Sequence, residues 1–164
     1  MIDPYALPED LRDAWIVRTR ELLDCFRRAT GGELLARSGN PADEAERLFA
    51  APFVVVAHGP EADPILNYAN RAGLELWEMS ATDFIRTPSR LTAEPALREA
   101  REKLLAETTR KGFVSGYEGI RIGSTGRRFL IQDVTIWNVA DAAGDGAGQA
   151  ASFAKWRFLD PEMN

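Results

Sequence analysis

Residues 63–80 read DPILNYANRAGLELWEMS, and this segment constrains the fold more than any other. A short apolar run, Ile65 and Leu66, passes through Asn67 and Tyr68 and stops at Asn70. A helix-patterned stretch follows, with Ala72, Leu74, Leu76 and Trp77 as its apolar members. The segment therefore reads as a strand that ends by capping a helix. The Asn70 side chain is expected to accept a bond from a helix N–H two or three residues on, which fixes the strand–helix corner.

On either side of this corner the hydrophobic period changes twice. Residues 7–29 place Leu11, Trp15, Ile16, Leu22, Leu23 and Phe26 in one helical stripe. Pro8 suits a first helical turn, and Gly31-Gly32 is a helix stop. A second helix is expected after Asn40-Pro41, a cap followed by a first-turn proline, running to about Phe49. The continuous apolar run Phe53, Val54, Val55, Val56 and Ala57 predicts a central strand covered on both faces. Ser80 through Asp83 resembles a capping box, and residues 95–111 predict a solvated helix with one narrow apolar side ended by Gly112.

In the last third, strands are expected at 113–122, 127–139 and 147–158, separated by turn signals at residues 123–126 and 141–146. Consecutive strands with short connections are antiparallel hairpins. Their alternation is interrupted at Gly116, Gly119, Gln132 and Asp133. Either bulges or a sheet face lining a cavity would produce this. The expected organisation is an N-terminal helical extension over 1–51, one α+β domain over 52–158 and a tail over 159–164.

At 164 residues the chain is long enough for a real core, and its net charge of −5 argues against nucleic acid as a partner. Cys25 is the only cysteine, so no intrachain disulfide forms, which fits a reducing cytoplasm. The N-terminus has neither a basic start nor an apolar core, and no apolar run approaches membrane-spanning length. A cytoplasmic protein without membrane or nucleic-acid partners is the expectation.

Two strands, short helices, a longer helix and then three antiparallel strands resemble the order of a PAS domain. The resemblance narrows at Ala62-Asp63-Pro64-Ile65-Leu66-Asn67-Tyr68-Ala69-Asn70, Ser89-Arg90-Leu91-Thr92-Ala93-Glu94, Ser124-Thr125-Gly126-Arg127-Arg128-Phe129 and Ala154-Lys155-Trp156. Together these resemble bacterial stand-alone MEKHLA-domain proteins, over roughly residues 20–157. The resemblance implies a PAS-like five-stranded antiparallel sheet with helices on one face, and a sensory or interaction role. It supplies no reaction.

No catalytic pattern stands out. His58 is the only histidine; with Glu61 and Asp63 it lacks the second imidazole of a facial metal triad. The long helix carries no haem-ligand histidine, and no segment resembles the flavin-adduct cysteine motif of light-sensing PAS domains. No metal site is expected, and the cofactor is unknown. Cys25 reads as a buried, inert thiol.

A PAS-like fold implies a cavity between sheet and helices. The residues able to line it are Asn67, Trp77, Arg90, Tyr117, Arg121, Gln132, Trp137 and Gln149. Aromatic walls with a few convergent polar groups suit a small organic ligand. A homodimer through Leu11, Trp15, Leu22 and Phe26 is one use of the first helix; packing on its own domain is the other. The leading reading is a non-enzymatic module for ligand binding or protein interaction. Its rivals are an enzyme using the cavity on a small metabolite, for which only His58 or Asp133 offers ionisable chemistry, and a structural interaction domain without a ligand.

Overall fold

The computed structural model describes residues 2–94 and 97–160. Helix α1 (Arg12–Thr30) follows a 3-10 turn at Glu9–Leu11, and α2 (Pro41–Phe49) comes next. Strands β1 (Val54–His58) and β2 (Leu66–Ala69) form the first hairpin. Short helices α3 (Arg71–Trp77) and α4 (Ala81–Phe84), a 3-10 turn at Ser89–Thr92 and the longer α5 (Arg98–Lys111) lead into β3 (Phe113–Ile122), β4 (Arg128–Ala140), β5 (Gly146–Phe153) and β6 (Lys155–Phe158). Pro95 and Ala96, where the fifth helix was expected to begin, lie outside the described residues, as do residues 161–164 of the expected tail.

The sheet is antiparallel throughout, with strand order β2-β1-β5-β4-β3 and β6 paired to β4. The strand expected over 147–158 is two segments. Pairing lapses where Asp133 and Val134 face Phe153 and Ala154, because Asp133 takes a left-handed conformation at φ 54°. A second irregularity falls at Gly116, φ 73°, between Val114 and Tyr117. The interruptions in alternation are thus β-bulges, which twist and re-aim the strand.

The local signals act as their chemistry requires. Gly31 ends α1 at φ 79° while its N–H bonds the Arg27 carbonyl. The Asn40 side chain accepts from the Asp43 N–H and the Ser80 side chain from the Asp83 N–H. Asn70 does more than cap: its Oδ1 accepts from the N–H of Gly73 (3.2 Å) and of Val55 (3.0 Å), while its Nδ2 donates to the carbonyls of Leu48 (3.2 Å) and Phe53 (2.7 Å). One fully buried amide thereby ties together β1, β2, α2 and α3.

Both sheet faces are covered, as the apolar run of β1 requires. Helices α3 and α5 lie over Val54, Ile131, Val134, Ile136 and Phe153. Helix α1 lies over the opposite face, where Val55, Ala57, Trp137 and Val139 share a core with Leu22 and Leu23. Trp15 stacks near Tyr68 at 5.5 Å and donates its indole N–H to the Ala69 carbonyl at 3.0 Å; Phe26 meets Trp137 edge-on at 4.9 Å. Of the two uses expected for this stripe, the structure shows packing on its own domain. Trp15 and Leu22 are buried, and Leu11 and Phe26 pack on the same core, so the stripe is consumed within the chain. An apolar helix face placed beside an uncovered sheet face removes more surface from water by packing there than by waiting for a partner.

Candidate functional site

Between the sheet and α3–α5 the packing is incomplete, leaving a cavity of about 60 Å³. Its apolar wall comes from Val56 of β1, Ile131 and Ile136 of β4, Ala151 and Phe153 of β5, with Leu66, Trp77 and Phe84 beside them. Its polar wall is Ser89 and Thr92 from the 3-10 turn, Arg101 of α5, Arg121 of β3, Gln149 of β5 and His58 at the end of β1.

The charges of this wall are one-sided. Arg101 is 7 % exposed, and among the described residues its hydrogen-bond acceptor is the Ser89 hydroxyl, not a carboxylate. Burial, reinforced by the neighbouring positive Arg121, holds its guanidinium down to about 10. Arg121 is also buried; it donates to the Tyr117 hydroxyl (3.3 Å) and to the Ile120 carbonyl (2.9 Å). Among the described residues no aspartate or glutamate lines the cavity. Burial likewise lowers His58 from its ordinary value. Its Nδ1 lies 3.0 Å from the Gly59 carbonyl, so the neutral ring donates there and leaves a buried Nε2 without a partner. The Trp77 indole N–H is also buried without a partner.

The elements that hold these groups are fixed by the segments at 89–94 and 124–129. The Ser124 N–H donates to the Trp77 carbonyl (3.0 Å) and its hydroxyl to the Glu78 carbonyl (2.7 Å), closing the end of α3. Gly123 lies so near this helix end that a Cβ there would stand 3.2 Å from the Trp77 oxygen. Glu94 pairs with Arg128, tying the 3-10 turn to β4.

Of the residues read as cavity-lining, Trp77, Arg121 and Gln149 are brought together there. Tyr117 stands just beyond, its hydroxyl on Arg121 and its ring 5.5 Å from that guanidinium. Four lie elsewhere. Arg90 is exposed and pairs with Asp63; Gln132 bonds Glu118 at the surface; Asn67 is on the short edge strand. Trp137 points to α1, because its neighbour Ile136 takes the cavity-facing position and side chains alternate along a strand. Asp133 is exposed at its bulge, away from the cavity. Ser89, Thr92 and Arg101 were missed. Arg101 precedes Leu104 and Leu105 by three and four residues, which puts it on the inner side of α5.

A wider groove of about 660 Å³ lies outside the cavity, between the end of α1, the β1–β2 connection, α5 and the β4–β5 hairpin. His58, Leu105 and Gln149 line both spaces and separate them. The Gln149 amide is fastened to the Leu105 carbonyl (2.9 Å), Thr109 Oγ1 (2.9 Å) and Asn138 Oδ1 (3.0 Å). Gly148 makes this junction possible: at φ 117° its missing Cβ would lie 1.8 Å from the His58 carbonyl oxygen. Cys25 is buried at the groove edge, donating to the Ala140 carbonyl at 3.4 Å. Glu61 accepts from the Ile65 N–H, and Asp63 pairs with Arg90, so the acids beside His58 serve their loop. Among the described residues no three His, Cys, Asp or Glu side chains group to hold a metal ion. Nor is any described helix long and apolar enough to cross a membrane.

The MEKHLA domain family matches residues 16–158. No curated protein matches the chain. Among solved structures, a PAS domain from Colwellia psychrerythraea superposes with a TM-score of 0.58 at 14 % identity, covering 71 % of this chain and 94 % of that one. The light-state dimer of the fungal blue-light photoreceptor Vivid gives 0.56 at 15 % identity, over 83 % and 92 %. The PAS domain of a LuxR-family transcriptional regulator from Burkholderia thailandensis, in complex with ethanol, gives 0.51 at 16 % identity, over 70 % and 95 %. At these identities the likeness concerns the fold.

Proposed function

From the premise that this chain belongs to the MEKHLA domain family and folds as a PAS-like sensory domain, we propose that it is a non-enzymatic sensor that admits a small organic ligand to the cavity under α3–α5. One observation carries the reading: Arg101 is a buried guanidinium on a cavity wall with no carboxylate partner among the described residues. A charge withdrawn from water without a counter-ion costs several kcal/mol, roughly, and a native fold retains such a group where something else compensates it. Trp77, which lines the same space and whose indole N–H has no partner, supports this. So does the ethanol complex of the Burkholderia PAS domain, in which a molecule of comparable size is bound by the same fold. A cytoplasmic location and signalling through non-covalent contact belong to the same proposal. The cavity offers cations and a neutral imidazole but no carboxylate or thiol among the described residues, which favours binding over catalysis.

The experiment is a thermal-shift screen of the intact chain against small alcohols, amides and acids, with Ala151→Val as the blocked form. Ala151 lies on the cavity wall between its strand neighbours Val56 and Ile136, so its enlargement projects into the space. A ligand-dependent rise in Tm that disappears in Ala151→Val is expected. A rise of equal size in both proteins would place binding elsewhere, and no rise with any compound would remove the reading.

A further inference from the structure

We infer that the ligand is a short-chain monocarboxylate whose carboxylate is taken by Arg101, a statement that rests on the cavity reading above and narrows it to one chemical class. The wall is divided by chemistry. On one side stand Arg101 and Arg121, both less than a tenth exposed, with Arg101 bonded to the Ser89 hydroxyl and all three residues lining the open space. The other side is hydrocarbon from Val56, Ile136 and Phe153. Burial and the nearby Arg121 both disfavour the charge of Arg101, and an anion bound beside it relieves this. A guanidinium presents paired N–H donors that match the two oxygens of a carboxylate, which a hydroxyl such as Ser89 satisfies only singly. The volume of about 60 Å³ admits few atoms. At about 10–15 Å³ for each water-sized sphere there is room for roughly four to six non-hydrogen atoms. Acetate has that size, and its methyl group would meet the apolar wall.

The same geometry makes a stability statement that a structural arginine would not satisfy. Without a ligand, Arg101 is an uncompensated buried charge, and an apolar side chain of similar length would sit better in its place. Isothermal titration of the intact chain at constant ionic strength, with acetate, propionate, nitrate, acetamide and ethanol, tests the class. Acetate or propionate should bind at least tenfold more tightly than acetamide. Arg101→Met should lose that preference, and Arg101→Lys, which keeps charge without the paired donors, should fall between. Ligand-free Arg101→Met should melt at or above the wild-type Tm.

Each contrary outcome is decisive. Nitrate binding as tightly as acetate would identify an inorganic oxyanion site and overturn the carboxylate assignment. Acetamide or ethanol binding without acetate would overturn the anion class while leaving the cavity reading intact. Failure of every compound would remove both. A ligand-free Arg101→Met that melts lower or does not fold would make Arg101 a structural clamp on Ser89 and overturn the inference.

Discussion

Glu44 and Arg101 are both nearly enclosed, at 3 % and 7 % exposure, yet the chain treats the two charges differently. Glu44 on α2 accepts from Arg37 Nε (2.9 Å) and Nη2 (3.3 Å) and from the N–H groups of Ser38 (2.9 Å) and Gly39 (3.3 Å). Arg37 in turn bonds Asp24 of α1, so the whole α1–α2 connection is fastened around one carboxylate. That ring of donors, Arg37 foremost, holds the Glu44 carboxyl below its ordinary value. Arg101 has a hydroxyl on one side and a cavity on the other. A buried charge whose bonds are complete is part of the scaffold. One whose bonds are incomplete beside an open space marks where a ligand completes them.

The comparison can be broken at its scaffold end first. Asn70→Ala leaves the Val55 and Gly73 N–H groups and the Leu48 and Phe53 carbonyls without their partner, and should cost about 4 kcal/mol, read by chemical denaturation. Glu44→Ala should cost about 2–3 kcal/mol, below the ~3–5 kcal/mol of a fully buried broken pair because Arg37 keeps Asp24 and some solvent. If Glu44→Ala were as harmless as Arg101→Met is expected to be, the distinction between the two charges would collapse.

The two sheet faces sharpen it further. Val55, on the α1 face, is fully buried and lines no cavity, and Val55→Phe should cost about 2 kcal/mol through overpacking. Ala151, on the cavity face, has room, and Ala151→Val should gain about 0.5–1 kcal/mol by filling it. Equal costs at the two positions would mean that the cavity closes in solution.

The smallest effect is a pH dependence at the shared wall. Burial keeps the folded His58 below its ordinary 6.5, so the unfolded chain binds that proton more readily. The stability from this neutral ring is complete above pH 6.5 and declines as pH falls through 6.5 toward the lowered folded value. His58→Gln should flatten the fall in Tm between about pH 7 and 5.5, above the range where carboxylates titrate. An unchanged slope would place the ring in solvent.

What was legible in the sequence was what chemistry fixes locally. Asn70, Asn40, Ser80 and Gly31 act through bonds to residues a few positions away, so their roles follow from order alone. The apolar run of β1 announced two covered faces, and α1 supplied the second cover. The site was only partly legible. Trp77, Arg121 and Gln149 carry visible signals within regular elements, whereas Ser89 and Thr92 come from an irregular turn and Arg101 from a helix that reads as solvated. Trp137 was misassigned by one position of strand register, the smallest error that exchanges one face for the other. The bulge at Asp133 was foreseen as one of two alternatives. Its consequence, the division of β5 from β6, depends on a left-handed backbone at an aspartate, for which a sequence gives little sign.

The central claim, that ligand enters beneath α3–α5 and nowhere on the α1 face, is tested most directly by the indole N–H resonances. Trp77 lines the cavity and its Nε1–H has no partner; Trp137, whose Nε1–H is equally unpartnered, packs its ring against Phe26, and Trp15 Nε1–H is held by the Ala69 carbonyl. In ¹H–¹⁵N spectra of the intact chain titrated with acetate and with ethanol, the Trp77 signal should move while those of Trp15 and Trp137 stay in place. Movement of Trp137 or Trp15 with Trp77 unmoved, or no movement of any indole, would contradict the account.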